Sequence, residues 1–238
     1  MMQLENRPIV ITGASSGIGQ AITLRLAEEK AQLHLVARNH DALAQLASQA
    51  ENLGATASCH SVDLCDDDAL AHFVRDIQAQ CSELAVLVHS AGMVSLGAVA
   101  DSPVSDLDAQ YRLNLRAPYL LSQQLLPLLQ RGRGYIIFIN SGAGLNARAN
   151  WSQYAASKHG LKALADSLRQ EVASDGIRVV SIYPGRTASP MQQRVRELEG
   201  QNYNPEDYIQ PRDVSEQVIA ALRVSDKALL SDVRITSY

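Results

Sequence analysis

The segment IVITGASSGIGQAI, residues 9–22, joins a short apolar run to a helical stretch through three glycines, Gly13, Gly17 and Gly19. Glycine allows a backbone to turn tightly and to pass close to a bound pyrophosphate. The N-terminus of the following helix offers N–H donors and the positive end of the helix dipole. The spacing is GxxxGxG rather than the GxGxxG of many dehydrogenases. A strand, a glycine-rich turn and a helix in this order still predict the start of a dinucleotide-binding sheet.

The same alternation of short apolar runs and longer helical stretches continues along the chain. The apolar runs that we predict as strands are residues 8–12, 33–37, 86–90, 135–139, 178–182 and 233–236, with a weaker one near 55–62. The predicted helices are residues 17–29, 40–52, 66–80, 104–130, 153–173 and 212–224. Continuous apolar runs are typical of parallel strands buried on both faces. We therefore predict an α/β fold, a Rossmann-type doubly wound parallel sheet of about seven strands with helices on both faces. No linker divides the chain, so we expect a single domain spanning 1–238.

Composition narrows the classes of function. Of 238 residues, 46% are hydrophobic and 19% are charged, and the net charge is −4 with no run of Lys or Arg, which argues against nucleic-acid binding. No apolar run approaches the roughly 18 residues that span a membrane, and the first residues lack the basic-then-apolar order of a signal peptide. The three cysteines, Cys59, Cys65 and Cys81, show no CxxC spacing, so we expect neither a disulfide framework nor a metal site. The sequence predicts a cytoplasmic protein.

The residues after the second and third predicted strands indicate which dinucleotide binds. An acidic residue after strand two would accept a hydrogen bond from the 2′-hydroxyl of NAD, but the chain has Ala37 and Arg38 there. An arginine can pair with the 2′-phosphate of NADP, so we predict NADP(H). Asp63, after the third strand, is suited to bond the adenine amino group; capping the helix at 66–80 is the alternative reading.

Five motifs together carry a family resemblance. They are TGASSGIG (12–19), the central Asn114, Ser141, YAASK (154–158) and YPG (183–185). In order and spacing these motifs resemble the short-chain dehydrogenase/reductase superfamily, over essentially the whole chain. The resemblance implies an NADP-preferring, carbonyl-reductase-like enzyme. Such an enzyme transfers a hydride between nicotinamide and a small carbonyl or alcohol substrate.

The resemblance also implies the catalytic roles. Tyr154 and Lys158, four residues apart, would share one helix face, and Lys158 would lower the pKa of the phenol and hold the nicotinamide ribose. Tyr154 would then be the general acid in reduction and the general base in oxidation. Ser141 would stabilise charge on the substrate oxygen, and Asn114, at a local helix distortion, would hold a water for proton relay.

The residues expected to contact the cofactor come from the same motifs and the turns that follow the strands. They are Gly13, Ser15, Ser16, Gly17, Ile18, Gly19, Arg38, Asn39, Asp63, Leu64, Ala91, Gly92, Tyr154, Lys158, Pro184, Gly185 and Thr187.

Two departures from the family pattern concern stability and assembly. HSAG stands where the family usually has NNAG, and we interpret His89 as a core histidine bonded to backbone rather than a catalytic group. The chain ends in SDVRITSY, without the glycine-rich tail that helps to build one tetramer interface in many members. The sequence therefore does not decide whether a tetramer forms through that interface.

The substrate and the exact activity stay open. A ketoacyl-carrier-protein reductase, a sepiapterin-type reductase and a non-catalytic NADP-binding regulatory module are the alternatives. The polar segment 186–211 could cover the cleft as a lid. Met93, Leu145, Trp151 and Met191 are candidate apolar walls, with ordinary packing the alternative for each.

Self-association follows from the two helices that carry the site. The sheet should cover one face of each of the predicted helices 104–130 and 153–173. Their outer faces are expected to carry further apolar residues, including Tyr119, Leu120, Leu164 and Leu168. Because one sheet can cover only one face of a helix, these side chains should meet another surface. We expect a homodimer or homotetramer with a two-fold interface through these helices.

Overall fold

The computed structural model describes residues 2–225 and 227–237. One sheet holds the strands β1 (Pro8–Thr12), β2 (Gln32–Ala37), β3 (Thr56–Ser61), β4 (Val86–His89), β5 (Tyr135–Ile139), β6 (Arg178–Pro184) and β7 (Asp232–Ile235). The helices are α1 (Gly17–Ala27), α2 (His40–Asn52), α3 (Asp67–Gln80), α4 (Val104–Tyr111), α5 (Ala117–Gly132), α6 (Ser152–Glu171), α7 (Pro190–Leu198) and α8 (Pro211–Arg223). The strands are all parallel, in the order β3-β2-β1-β4-β5-β6-β7, so the predicted seven-stranded doubly wound sheet is confirmed.

The strand order places a crevice at the centre of the sheet. The chain runs outward from β1 through β2 to β3 and then returns to the other side of β1 as β4. In an open parallel sheet, a ligand binds beyond the carboxyl ends of the strands at such a reversal. The glycine-rich turn follows β1, so it lies at this point.

Burial on both faces explains why the central strands read as continuous apolar runs. Ile9 and Ile11 of β1 pack in one core, and Val10 between them packs in the core on the other face. Helices α1, α2 and α8 cover the first face, and α3, α5 and α6 cover the second. The edge strand β3 has no buried residue, and its sequence TASCHS gave the weakest strand signal.

The prediction of a single helix over residues 104–130 is wrong in detail. The chain forms α4, then five residues of π-helix from Arg112 to Arg116, and then α5. A π-segment inserts an extra residue into a helical turn and is frequent at functional sites. Asn114 lies at its centre.

A second difference lies in the segment 186–211, for which no helix was predicted. It contains helix α7, whose first residue is Pro190 and whose N-cap is Ser189, with the Ser189 hydroxyl accepting from the Gln192 N–H at 3.1 Å. A serine cap followed by proline is a helix-start pattern, so the sequence did carry this signal.

The apolar residues expected on the outer helix faces differ in exposure. Tyr119 is 49% exposed, while Leu120 and Leu164 are half-buried. Leu168 is buried in the core between the sheet and α6, so its assignment to an outer face is wrong. Among the described residues, no helix is both long enough and apolar enough to cross a membrane.

Candidate active site

A cleft of about 1230 Å³ opens at the carboxyl edge of the sheet. It exceeds the roughly 300–1000 Å³ of ordinary small-molecule pockets, and it has room for a dinucleotide and a substrate. Every residue predicted to act in catalysis or to bind the cofactor lines this cleft, except Asn114, which lies behind its wall. The motifs that are scattered along the sequence are therefore brought together.

The glycine turn is packed too closely to hold side chains. Gly13 has φ +66°, and a β-carbon there would lie 2.7 Å from the Cα of Ala91. A β-carbon on Gly19 would lie 2.2 Å from the carbonyl oxygen of Gly13. Within the described chain, no side chain caps the N-terminus of α1, so its N–H groups face the cleft. Bare backbone donors at a helix start fit the pyrophosphate of a dinucleotide.

Thr12 is a bracing residue that the sequence analysis did not single out. Its hydroxyl donates to the Val88 carbonyl at 3.2 Å and accepts from the N–H groups of Ser90 at 3.1 Å and Ala91 at 3.2 Å. One buried hydroxyl thus fixes the end of β1 to the turn after β4. The two backbone segments predicted to contact the cofactor are held in register by it.

The far end of the cleft holds the residues predicted to select the dinucleotide. Arg38 follows β2, is exposed, and forms no ion pair with any described residue. The Asn39 side chain accepts from the Ala42 N–H at 3.0 Å and so caps α2. Asp63 accepts from the Cys65 N–H at 2.9 Å and does not cap α3, because Asp66 does so. The alternative reading of Asp63 as a helix cap is therefore wrong.

Tyr154, Ser141 and Lys158 form one cluster. Tyr154 and Lys158 lie on one face of α6 and are 6% and 4% exposed. Tyr154 and Ser141 both line the cleft, and the Ser141 side chain is close enough to the Tyr154 phenol to favour its ionised form. The Ser141 hydroxyl accepts from the Ala143 N–H at 3.1 Å, which leaves its own hydrogen free to point at Tyr154. The Lys158 ammonium donates to the Ile139 carbonyl at 3.0 Å and lies 5.9 Å from the centre of the tyrosine ring.

Burial controls the acidity of this cluster. It raises the pKa of the Tyr154 phenol, although the bond with Ser141 acts in the opposite direction. It lowers the pKa of Lys158 to about 8. We expected a net lowering of the Tyr154 pKa next to Lys158, but the net shift is upward because burial dominates. A buried phenolate is poorly solvated, and the ammonium is directed to the Ile139 carbonyl.

Asn114 braces the cleft wall from behind. Its side-chain oxygen accepts from the Met93 N–H at 2.9 Å, and its amide nitrogen donates to the Met93 carbonyl at 2.9 Å and to the Ser157 hydroxyl at 3.0 Å. Both amide hydrogens are used, so the side chain has no donor left for a relay water. The expected helix distortion is present, and the side chain makes positioning contacts to Met93 and Ser157; the relay water stays a prediction.

Asn140 is a further brace that the sequence did not reveal. It is 3% exposed, donates to the Lys158 carbonyl at 3.2 Å and accepts from the Ser141 N–H at 2.9 Å. The end of β5 is thereby tied to helix α6, which sets Ser141 opposite Tyr154. The only signal in the sequence is a polar residue at the end of the apolar run YIIFI.

His89 lies in the core behind the cleft. It is 2% exposed, its Nε2 lies 2.9 Å from the Ser122 hydroxyl, and its ring stacks on Phe138 with centres 4.8 Å apart. Burial lowers the pKa of His89 to about 3, so the ring is neutral near pH 7. The predicted core role fits this environment, although its partner is a side-chain hydroxyl and not backbone.

Three of the four candidate apolar walls line the cleft. They are Met93, Trp151 and Met191, whereas Leu145 does not line it. Met191 belongs to α7, which lies beside the glycine turn: a β-carbon on Gly17 would be 3.1 Å from Cβ of Ser189. The segment 186–211 therefore borders the cleft, as expected of a cover.

Comparisons with known proteins agree with this geometry. A family model described as short chain dehydrogenase matches residues 7–200. An uncharacterized oxidoreductase of Staphylococcus saprophyticus is 27% identical over 237 residues, which are 99% of this chain and 99% of that protein. The crystal structure of a metagenomic short-chain oxidoreductase in complex with NADP is 31% identical, with a TM-score of 0.84 over 100% of both chains. An NAD+-bound xylitol dehydrogenase, 23% identical, shares the fold with a TM-score of 0.89 over 98% of this chain and 99% of that one.

Proposed function

The chain belongs to the short-chain dehydrogenase family, and we propose that it is an NADP(H)-dependent carbonyl reductase. It is an oxidoreductase of the type that uses a nicotinamide cofactor. The finer assignment, to NADP(H) and to a small carbonyl or alcohol substrate, rests on the chain's own residues. Bound NADP(H) would supply or accept the hydride.

The observation that carries the proposal is that Tyr154, Ser141 and Lys158 line one cleft together with the glycine turn. Two hydroxyls that meet at one point can both donate to a carbonyl oxygen placed between them. Such donors stabilise the negative charge that develops on that oxygen during reduction. Because burial raises the pKa of Tyr154, the phenol holds its proton at neutral pH and can deliver it to the oxygen.

Lys158 has two roles in this proposal. Its ammonium beneath the Tyr154 ring stabilises the phenolate that remains after proton transfer. It also lines the cleft next to Gly92, where a β-carbon would be 3.9 Å from Nζ, so it is placed to bind a ribose hydroxyl of the cofactor. Asn114 and Asn140 act as positioning residues, since they bond to backbone around the cluster and not to the reacting atoms.

The residues of the cleft fit a dinucleotide, and Arg38 favours the phosphorylated form. The glycine turn and the uncapped start of α1 suit a pyrophosphate. At the end of β2 no carboxylate is available for a free 2′-hydroxyl, and Arg38 has an unpaired guanidinium within the described chain. A guanidinium binds a phosphate through two parallel N–H bonds.

Two alternatives make different predictions. A non-catalytic NADP-binding module would bind NADPH and reduce nothing. A reductase for ketoacyl carrier proteins would reduce a thioester-linked β-ketone far better than a free ketone. A panel of aldehydes, ketones, diketones and one ketoacyl thioester, with NADPH consumption followed by absorbance, separates these from the proposed general reductase.

The decisive variant is Tyr154→Phe, which removes only the hydroxyl. We expect it to bind NADPH like the wild type and to lose at least about 99% of kcat, since general acid catalysis contributes about 10²- to 10⁴-fold. Tyr119→Phe is the matched control, because the same atom is removed from an exposed ring away from the cleft. Substantial turnover by Tyr154→Phe would show that another group delivers the proton.

A further inference from the structure

A second cavity of about 610 Å³ adjoins the substrate end of the cleft. The two cavities share three lining residues, Arg148, Trp151 and Arg186. The second cavity is also lined by Arg196 and Glu199. Three guanidinium groups therefore surround a space that opens onto the reaction centre, in a chain whose net charge is −4.

One carboxylate serves two of these arginines. Arg186 makes two bonds to Glu199, at 2.8 and 2.6 Å, and Arg196 reaches the same carboxylate at 3.4 Å. Glu199 is the one acidic residue among those that line the second cavity. Because a single negative charge faces three positive ones, the cavity keeps an excess of positive charge.

Arg148 makes no ion pair or hydrogen bond with a carboxylate among the described residues, although its charge contributes to lowering the pKa of Glu199. Its guanidinium lies 4.1 Å from the centre of the Trp151 ring, and its side chain makes no hydrogen bond to any other part of the chain that the structure describes. Stacking on an aromatic face holds a guanidinium in place and leaves the N–H donors at its edge free. The stacking contact therefore orients the Arg148 guanidinium and leaves its N–H groups available to a ligand.

Trp151 connects this cation to the reaction centre. The Trp151 ring meets the Tyr154 ring edge to face, with centres 5.9 Å apart. The guanidinium carbon of Arg148 is thus within about 10 Å of the Tyr154 ring. A small molecule can span that distance, with its carbonyl at Tyr154 and an acidic group at Arg148.

We propose that the substrate is a carbonyl compound that carries an oxyanion, a carboxylate or a phosphate, and that Arg148 binds this group. This inference rests on the proposed reductase function and narrows its substrate class. The oxyanion enters the second cavity, and Arg148 donates two N–H bonds to it. Arg186 and Arg196 add attraction without direct bonds, since Glu199 occupies them.

The test compares aliphatic keto acids of increasing chain length, and a keto phosphate, with uncharged counterparts: the methyl esters of the acids and the dephosphorylated hydroxyketone. The wild type should have a kcat/KM at least about tenfold higher for the charged member of a pair, as expected for one charge-assisted contact. Arg148→Gln should bring that ratio close to one, mainly through a higher KM for the charged member, and Arg148→Lys should restore part of it. Whether acids or phosphates show the larger ratio identifies the oxyanion.

Arg194→Gln is the control for loss of charge alone. Arg194 lies on α7 with 63% of its side chain exposed and lines neither cavity. The variant should keep the wild-type ratio. Equal ratios in the wild type and in Arg148→Gln would overturn the assignment of Arg148.

A second readout does not depend on turnover. Trp151 is the chain's only tryptophan, so a keto acid that binds Arg148 should change the intrinsic fluorescence. The change should be absent with the methyl ester and in Arg148→Gln. If no carbonyl is reduced but the fluorescence response appears, the reductase proposal fails and the oxyanion site stands. If carbonyls are reduced without charge preference or fluorescence response, the oxyanion site fails and the reductase proposal stands.

Discussion

We predict that protonation of His89 accounts for part of the stability that this protein loses in acid. Replacing His89 with asparagine should remove that part of the loss. The ring is buried, its Nδ1 has no hydrogen-bond partner among the described residues, and burial lowers its pKa to about 3. In the unfolded chain the pKa of a histidine is about 6.5. A folded-state pKa below the unfolded value means that stability is complete above about pH 6.5 and falls as the pH drops toward 3.

The size of the effect follows from these two pKa values. At about pH 5 the unfolded chain binds a proton at His89 that the folded protein rejects, which lowers the free energy of unfolding by about 2 kcal/mol relative to pH 8. His34 should contribute a similar loss of about 2 kcal/mol, because its pKa is lowered to about 4 by burial and by His60. His89→Asn should therefore remove about half of the loss that these two histidines cause.

Urea unfolding of the cofactor-free protein at both pH values measures this loss. The comparison uses the change between pH values, so any pH-independent effect of the smaller side chain cancels. His72→Asn is the matched control, since His72 is on a helix surface with 70% of its side chain exposed, and it should lose as much stability as the wild type. If His89→Asn also loses as much as the wild type between about pH 8 and pH 5, the buried ring is not the source of the acid sensitivity.

Two further predictions concern the cofactor and assembly. Arg38→Asp should weaken NADPH binding at least about tenfold and favour NADH, since a charge-assisted contact is worth about 1.5–3 kcal/mol. Exposed Arg75 gives the control Arg75→Asp, and unchanged Michaelis constants for both cofactors in Arg38→Asp would place Arg38 in solvent. Light scattering should give at least twice the 25.8 kDa chain mass, because Leu107, Tyr111 and Tyr119 on α4 and α5 are 40%, 50% and 49% exposed. A 25.8 kDa species that still reduces substrate would contradict an obligate dimer.

Sequence periodicity predicted the fold because the parallel sheet is buried on both faces. Strands such as β1 and β5 are buried at every position and are almost entirely apolar, and few other structures give a five-residue run of that kind between helices. The motif residues lie at the carboxyl ends of strands, and the topology brings these ends to one edge. Most of the residues predicted for the site therefore line one cleft, and their roles stay predictions.

The braces of the site could not be predicted in the same way. The bonds of Asn114 to Met93 and of Asn140 to Lys158 depend on a π-segment and on the distance between β5 and α6, which no local pattern fixes. The pKa of Tyr154 was misjudged for a related reason. Spacing predicts which charge is nearby, but burial is a property of the assembled fold, and here burial dominates.

In the proposed site, these braces belong to the part that would position the reacting groups, and Arg148 belongs to the part that would select the substrate. Thr12, Asn114 and Asn140 each bond to backbone on a different element, so they hold the cofactor turn, the cleft wall and the Ser141 turn as one rigid unit. Each is almost fully buried and uses its polar atoms, which makes substitution there costly. Arg148 has the opposite character, because it is exposed and is held through an aromatic contact. A change at such a position disturbs no buried hydrogen bond, so substrate preference can alter while the proton-transfer group keeps its geometry.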